Sequence, residues 1–280
     1  MTRSATSATK DKRLTKPFML KPGETCDLDE IASRVDTDQY DKKSAYKKIA
    51  QNAEQIALLT RKLYAEKKRS VLLVLQAMDA AGKDSTVRVV FKGVNPQYFR
   101  IACFKKPSSE ELAQDFLWRI HKKAPPKGHF GIFNRSHYED VLVVRVHNLQ
   151  PEPVWQARYQ QINEFENLLS ENGVKIIKCY IHISKDEQRE RLQARMDDPD
   201  AHWKVNLGDL DERALWSDYR AAYNDAITNC NTQCAPWHII PADRKWYRCL
   251  VISELVLNTL REMAPEYPEA DQDYRGMKVT

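Results

Sequence analysis

The stretch VLLVLQAMDAAGKDSTVRVVF, from Val71 to Phe91, constrains the fold of this chain more than any other segment. An apolar, strand-like run leads into a turn of small residues, which ends in Gly82-Lys83 and opens a helical pattern. In such a strand–turn–helix unit, free backbone N–H groups and the positive end of the helix dipole converge on the turn and favour a bound anion. The sequence therefore predicts a phosphate-binding loop, in which Lys83 adds a point charge directed at phosphate oxygens.

This loop departs at two positions from the common pattern G-x-x-x-x-G-K-[ST]. Ala77 takes the place of the first Gly, which predicts a backbone without a left-handed turn at that residue. Asp84 takes the place of the hydroxyl that usually binds magnesium. The residues expected to contact phosphate or nucleotide here are Ala80, Ala81, Gly82, Lys83, Asp84 and Ser85.

Apolar runs followed by helical segments recur five times along the chain, at 71–76, 98–104, 128–134, 174–183 and 235–242. Strands that are apolar on both faces are typical of a parallel sheet covered by helices. We therefore predict a three-layer α/β/α fold of the phosphate-loop kinase type, with a five-stranded parallel sheet and a helical lid. An amphipathic helix is predicted at 43–68, and a helix over 108–123 with Ser108 as its N-cap.

The domain organisation follows from these patterns. A basic N-terminal extension is expected over 1–42, a phosphate-loop domain over 43–262 with its lid at about 184–216, and a loose tail over 263–280. No apolar run approaches the length of a membrane span. The basic N-terminus lacks the apolar region of a secretory signal, so we expect a cytoplasmic protein.

The charge is distributed unevenly. Residues 1–22 carry six Lys or Arg against one acid, which equals the net charge of +5. This predicts a solvated tail or, alternatively, an arm that attracts polyanions. Between Arg88 and Arg135, ten Lys or Arg oppose three acids, so a strongly basic segment follows the predicted loop and would attract anions.

The six cysteines are scattered and indicate reduced thiols. Cys230, Cys234 and His238 suggest a zinc site, but their spacing is irregular and no paired CxxC motif exists. We therefore expect no zinc site there.

A second candidate motif is FNRSHYED, which spans 133–140 at the end of the third predicted strand. Arg135 has a forked donor suited to a phosphoryl group, and Glu139 or Asp140 would supply an acid near a metal. The alternative interpretation is a polar helix start with ordinary capping.

The third candidate motif is QRERLQARMDDPDAHWK, residues 188–204. Arg191 and Arg195 are four residues apart, which places them on one helix face, where they would close over phosphates as a lid. Taken alone, a charged face with Glu187 and Glu190 as partners is more often simply solvated.

Together these segments resemble the polyphosphate kinase 2 family over about residues 43–262. The resemblance is carried by MDAAGKDST, FKKPSSEEL with FLWRIH, FNRSHYED, the ERLQAR–DP–WK segment and APWHIIPADRKWYRCLV. It implies reversible, Mg²⁺-dependent phosphoryl transfer between inorganic polyphosphate and nucleotides, with Mn²⁺ as a substitute metal and a homo-oligomeric assembly. The FNRSHYED form resembles the subgroup that phosphorylates both AMP and ADP, and it links Glu139 to acceptor choice.

The resemblance also implies roles for individual residues. Asp79 would hold Mg²⁺ in place of the usual hydroxyl, and Asn134 departs from an Asp that is frequent in the family. The implied metal set is Asp79, Asn134 and Glu139, with Asn134 also near the nucleotide phosphates. The implied catalytic set is Asp79, Lys83, Arg135, Glu139, Arg191 and Arg195. A track for the polymer is implied at Lys92, Lys105 and Lys106.

Two other functions remain open from the sequence. An ATP-dependent kinase on the same fold predicts activity with ATP and none with polyphosphate. A non-enzymatic binder of polyanions predicts affinity that depends on residues 1–22. We expect inorganic polyphosphate and adenine nucleotides as ligands, with guanine nucleotides left open, and neither nucleic acid nor a membrane as a partner.

Overall fold

A five-stranded parallel sheet forms the centre of the molecule. The structure, a computed structural model, describes residues 14–273 together with Arg275, Met277 and Val279. The strands are β1 (Ser70–Gln76), β2 (Phe99–Cys103), β3 (Phe130–Asn134), β4 (Val174–His182) and β5 (Trp237–Pro241). Their spatial order is β2-β3-β1-β4-β5, and each neighbouring pair is parallel. The predicted parallel sheet is confirmed.

Strand β1 lies in the middle of the sheet and determines where the site forms. Every residue of β1 is buried, because β3 and β4 pair with its two edges and helices cover its two faces. Leu73 aligns with Ile132 of β3 and with Ile177 of β4. The carboxyl ends of parallel strands share one edge, so the turns that follow β1, β3 and β4 meet there, where α/β proteins bind ligands.

Ten α-helices surround the sheet within the described residues. They are α1 (Lys42–Glu66), α2 (Lys83–Val90), α3 (Ser109–Leu112), α4 (Trp118–His121), α5 (Val143–Val146), α6 (Glu152–Glu171), α7 (Lys185–Asp197), α8 (Gly208–Ala214), α9 (Trp216–Asn229) and α10 (Lys245–Met263). Helices α1, α2 and α10 pack together as one layer, and α5, α6 and α9 form the other. The three-layer architecture is therefore confirmed.

The helix predicted over 108–123 is instead two short helices, α3 and α4. The predicted cap is present, because Ser108 accepts from the N–H of Glu111 and the Glu111 side chain accepts from the N–H of Ser108. The helix stops because the Asp115 side chain accepts from the N–H of Leu117 at 2.9 Å. This local bond replaces a helical one.

The described part of the N-terminal extension is packed on the domain. Leu20 donates its N–H to the Trp237 carbonyl at 2.9 Å, next to an antiparallel bridge between Met19 and His238. Leu28 is buried, and its N–H donates to Asn224 on α9. The expected solvated tail is therefore wrong from Leu14 onward, because this segment covers the β5 edge. Residues 1–13, which carry most of the basic charge, lie outside the described residues.

Among the described residues, none of the helices combines the length and the apolarity that crossing a bilayer would need.

Candidate active site

The loop after β1 has an unusual backbone that explains its departure from the common pattern. Ala80 has a φ of 60° and Gly82 a φ of 104°, whereas Ala77 is not among the residues with positive φ. The left-handed turn thus falls on Ala80, which confirms that Ala77 needs no glycine. A non-glycine residue in this region is strained, and such strain is found preferentially at functional sites.

Helix α2 begins at this loop and presents free donors to it. The Gly82 carbonyl accepts from the hydroxyls of Ser85 and Thr86 at 2.9 and 3.0 Å, which fixes the first turn. The N–H groups of Gly82, Lys83, Asp84 and Ser85 find no acceptor in the described part of the chain. Such a run of N–H donors at a helix start is an anion-binding site.

Lys83 folds back across the loop instead of extending into solvent. Its Nζ donates to the carbonyl oxygens of Ala77 and Met78 at 3.0 and 3.4 Å. Desolvation in this crowded loop lowers the pKa of Lys83, although the nearby carboxylate of Asp79 opposes the shift. The ammonium group therefore lies inside the loop, where phosphate oxygens would meet it.

Arg135 follows β3 and meets the loop directly. Its Nη2 donates to Asp79 Oδ1 at 2.6 Å, and its Nη1 lies 4.0 Å from Glu139 Oε2. Burial acts to lower the pKa of Arg135, but the negative charges of Glu139 and Asp79 outweigh it and raise that pKa above its ordinary value. Arg135 has a φ of 61°, so the chain is strained at the residue that aims this guanidinium.

The two acids of the FNRSHYED motif separate. Burial raises the pKa of Glu139, against the opposing charges of Arg135 and Lys83, so Glu139 faces the loop. Asp140 instead pairs with Arg158 at 3.3 Å and lies 3.8 Å from Arg119. Of the two acids, Glu139 is therefore the one at the site.

Asn134 and Asp84 contact each other. The Asn134 amide donates to Asp84 Oδ1 at 2.5 Å, which ties the end of β3 to the start of α2. Of the expected metal set, Asp79 and Glu139 both lie beside Arg135, whereas the Asn134 amide is bonded to Asp84, so the set stays a prediction. Within the described residues, no three His, Cys, Asp or Glu side chains lie in an arrangement that could hold a metal.

The predicted lid, residues 184–216, consists of α7, a 3₁₀ helix at Pro199–Lys204, and α8. Arg195 lies 3.6 Å from Asp209 on α8. Burial raises the pKa of Asp209, and Asp79 adds to the shift, which shows that Asp209 faces the loop. Arg195 therefore links α7 to α8 within the lid, and its expected contact with phosphate stays a prediction.

Arg191 does not act as expected of a lid residue. Its guanidinium is buried, and it forms five hydrogen bonds, one to Glu187 and two each to the carbonyls of Ala80–Ala81 and Ala242–Asp243. All five N–H donors of the side chain are thus used. We correct the expectation: Arg191 clamps the loop to the end of β5, and this geometry leaves it no donor for a phosphate.

The three lysines of the expected polymer track lie at opposite ends of the strands: two are at the carboxyl ends and one is at the amino ends. Lys105 and Lys106 are exposed just beyond β2, where the Phe104 N–H bonds to the Asn134 carbonyl at 3.2 Å. Lys92 lies at the far end of α2, next to Phe91, whose ring packs against Phe99 at the start of β2. The structure therefore brings Lys105 and Lys106 to the site and leaves Lys92 away from it.

Three residues at the loop were missed by sequence reasoning. Gln188 donates to the Asp79 carbonyl at 2.9 Å, Arg248 donates to the Ala81 carbonyl at 2.5 Å, and Asp209 faces the loop from the lid. Arg248 lies in PADRKWYRCLV, a segment that carries the family resemblance, and this was its only signal.

The sequence of this chain matches a known family over most of its length. Residues 39–268 match the profile of Polyphosphate kinase 2 (PPK2). The chain belongs to the polyphosphate kinase 2 family.

Other PPK2 proteins are similar in sequence and structure. An "AMP/ADP-polyphosphate phosphotransferase" of Meiothermus ruber is 51% identical over 230 residues, which cover 82% of this chain and 86% of the relative. An "ADP-polyphosphate phosphotransferase" of Rhodopseudomonas palustris is 40% identical, with 91% and 92% covered. The crystal structure of Polyphosphate Kinase 2 from Arthrobacter aurescens TC1 superimposes with a TM-score of 0.88 at 41% identity and covers 93% of both chains.

Proposed function

We propose that this PPK2 protein transfers the terminal phosphoryl group of inorganic polyphosphate to AMP and to ADP, in a reversible reaction. The observation that carries the proposal is the convergence of Lys83 and Arg135, with Asp79 and Glu139, on the run of free N–H groups at the start of α2. The M. ruber relative, 51% identical, is named for the same donor and acceptors.

The chemistry asked of these residues is positioning and charge neutralisation. Phosphoryl transfer places little covalent demand on the protein, so most of the catalysis comes from alignment and electrostatic stabilisation. The attacking nucleotide phosphate oxygen is already ionised, so no general base is required. Lys83, Arg135 and the N–H groups of α2 would hold the transferred phosphoryl group, and Arg195 would approach from the lid.

The site offers few protein ligands for a divalent metal. Mg²⁺ is usually held by one or two carboxylates together with substrate phosphates. Asp79 suits this role, because its carboxylate is partly exposed and faces the loop. The Asn134 amide is bonded to Asp84, and Glu139 is largely buried beside the Arg135 guanidinium. We therefore assign Mg²⁺ or Mn²⁺ chiefly to Asp79 and phosphate oxygens, where it would neutralise phosphate charge.

The competing kinase function is less compatible with the loop. An ATP-dependent kinase would normally use a hydroxyl after the lysine to bind magnesium. Here that position is Asp84, which already accepts the Asn134 amide. The loop therefore offers no hydroxyl at the position from which a conventional kinase binds magnesium.

The test is ATP formation measured by luminescence, with long-chain polyphosphate and Mg²⁺. Separate reactions start from AMP or ADP, GTP formation from GDP is measured in parallel, and Lys83→Ala is the control. We expect ATP from both adenine acceptors and at least about a thousandfold less with the variant. ATP from ADP alone would contradict the assignment of AMP. No product from any acceptor, together with phosphorylation of a nucleotide by ATP, would replace the proposal by the conventional kinase.

A further inference from the structure

Arg248, on α10, lies directly beneath the phosphate loop. It is 1% exposed, its Nη1 donates to the Ala81 carbonyl at 2.5 Å, and its Nη2 donates to Ser85 Oγ at 2.9 Å. A Cβ placed on Gly82 would overlap the guanidinium. The glycine of the loop is therefore needed for two reasons, its positive φ and the close approach of Arg248.

A second buried guanidinium meets the same carbonyl. Arg191 Nη1 donates to the Ala81 oxygen at 2.8 Å, so two cations share one acceptor. Arg191 has Glu187 as its partner at 2.7 Å, whereas the contacts of Arg248 in the described part of the chain include no carboxylate. Desolvation, together with the charge of Arg191, lowers the pKa of Arg248. Burying an unpaired charge is costly, so this arrangement requires a compensating benefit.

The benefit follows from the geometry of the peptide unit. The peptide between Ala81 and Gly82 is planar and trans, so its C=O and N–H point in opposite directions. Two arginines hold the Ala81 carbonyl away from the loop interior, and the Gly82 N–H is thereby directed into it. The N–H groups of Lys83 and Asp84 follow and also lack acceptors in the described residues.

We propose that Arg248 is a positioning residue for phosphoryl transfer, which fixes the Ala81 carbonyl and so aims the Gly82 N–H at the polyphosphate. This inference rests on the proposed function for its substrate. Preorganised donors stabilise developing charge because they need no rearrangement during the reaction. Arg248 contributes twice, through this alignment and through a buried positive charge that a bound polyanion offsets.

The experiment compares Arg248→Gln and Arg248→Lys with a matched control, Arg69→Gln. Arg69 is a partly buried arginine that bonds to Glu66 and the Met263 carbonyl at the opposite edge of the sheet. Two quantities are measured for each protein: kcat and KM with polyphosphate and ADP, and the rise in Tm on adding inorganic tripolyphosphate with Mg²⁺.

For Arg248→Gln we expect kcat to fall about a hundredfold, with a smaller change in KM for ADP and a reduced tripolyphosphate-induced rise in Tm. Unlike Arg248→Gln, Arg248→Lys keeps the positive charge, but it lacks the forked pair of donors. Its kcat should therefore stay about tenfold or more below that of the wild type. Arg69→Gln should lower Tm while leaving kcat within about twofold.

Three results would overturn the proposal. They are a folded Arg248→Gln protein with wild-type kcat and Tm response, an equal loss of kcat in Arg69→Gln, or full activity in Arg248→Lys. If Arg248→Gln does not fold, Arg248→Lys decides between the outcomes. If wild type makes no ATP from polyphosphate, the proposed function fails, and the tripolyphosphate-induced rise in Tm still tests the positioning role by itself.

Discussion

Arg135 donates to Asp79 at 2.6 Å and thereby joins the turn after β3 to the loop after β1. Both side chains are partly exposed. In the proposed reaction Arg135 binds phosphate and Asp79 binds Mg²⁺. In this state the Arg135 guanidinium is the hydrogen-bond donor and the positive charge that balance the Asp79 carboxylate. When polyphosphate binds, a phosphate oxygen would take the guanidinium, and the carboxylate would become available to Mg²⁺.

This exchange predicts the effect of Asp79→Asn. Removing the carboxylate should raise the Mg²⁺ concentration for half-maximal activity by about tenfold and lower the maximal rate. A Mg²⁺ titration of ATP formation measures both quantities. Asp186→Asn, on the exposed start of α7, is the matched control and should titrate like wild type. A lower rate with an unchanged Mg²⁺ midpoint would mean that Asp79 only orients Arg135.

Lys105 and Lys106 lie beyond β2 on the side of the loop, and Lys92 lies at the far end of α2. These positions predict which lysines guide the polymer. Lys105→Ala with Lys106→Ala should raise KM for long-chain polyphosphate several-fold and weaken the salt dependence of kcat/KM, because exposed charges act through a screened field. Lys92→Ala, at the other end of α2, should change KM by less than about twofold. The measurement is steady-state kinetics at low and high salt. An equal effect of Lys92→Ala would show that the polymer follows a different path.

The fold was predictable because its signal is repeated and local. The strands β1 and β4 are buried on both faces, apart from Lys175 near the start of β4, and only a sheet covered by helices on both sides buries strands in this way. Lys83 and Arg135 were found for a related reason. Each follows the carboxyl end of a strand in a parallel sheet, so their meeting is a consequence of topology.

The rest of the site depends on contacts that sequence spacing does not encode. The four-residue spacing of Arg191 and Arg195 places them on one side of α7. It cannot show that Glu187 and the backbone carbonyls of the loop and of the end of β5 together use every donor of Arg191. Arg248 lies 167 residues from Ala81 along the chain. Its role becomes visible only when α10 is placed beneath the loop.

The raised pKa of Glu139 predicts that this side chain lowers the stability of the fold at neutral pH, while the proposed reaction uses it to choose the acceptor. Its pKa is raised, chiefly by burial, so the carboxylate ionises less readily in the folded than in the unfolded chain. The stability that Glu139 contributes therefore falls as pH rises from the unfolded pKa through the folded one, and it stays lower above that window. Glu139→Gln should raise Tm at neutral pH and leave it unchanged in acid.

The same variant tests the acceptor assignment. With the charge removed, we expect ATP formation from AMP to fall at least about tenfold and formation from ADP to change by less than about threefold. Glu54→Gln, on the exposed side of α1, is the matched control for both the melting and the kinetic measurements. An equal loss with both acceptors would assign Glu139 to the phosphoryl transfer itself and not to acceptor choice.

Behind the FNRSHYED motif, Lys178 of β4 forms a fully buried ion pair with Glu166 of α6. Lys178 Nζ lies 2.6 Å from Glu166 Oε2 and also donates to the Tyr138 hydroxyl at 2.8 Å and to the Cys230 carbonyl at 2.6 Å. Burial alone would raise the pKa of Glu166, but Lys178 and His137 lower it below its ordinary value. The network therefore anchors the segment that carries Arg135 and Glu139.

Lys178→Met should destabilise the fold by about 3–5 kcal/mol, because it leaves the Glu166 charge buried without its main partner. Urea unfolding measures this change. The double variant Lys178→Met with Glu166→Leu should recover much of the loss, since neither charge then remains unpaired. An exposed pair supplies the control, and Arg189→Ala, which separates Arg189 from Asp186, should cost less than about 1 kcal/mol. A double variant less stable than Lys178→Met would show that Glu166 stabilises the fold through Tyr138 and His137 rather than through Lys178.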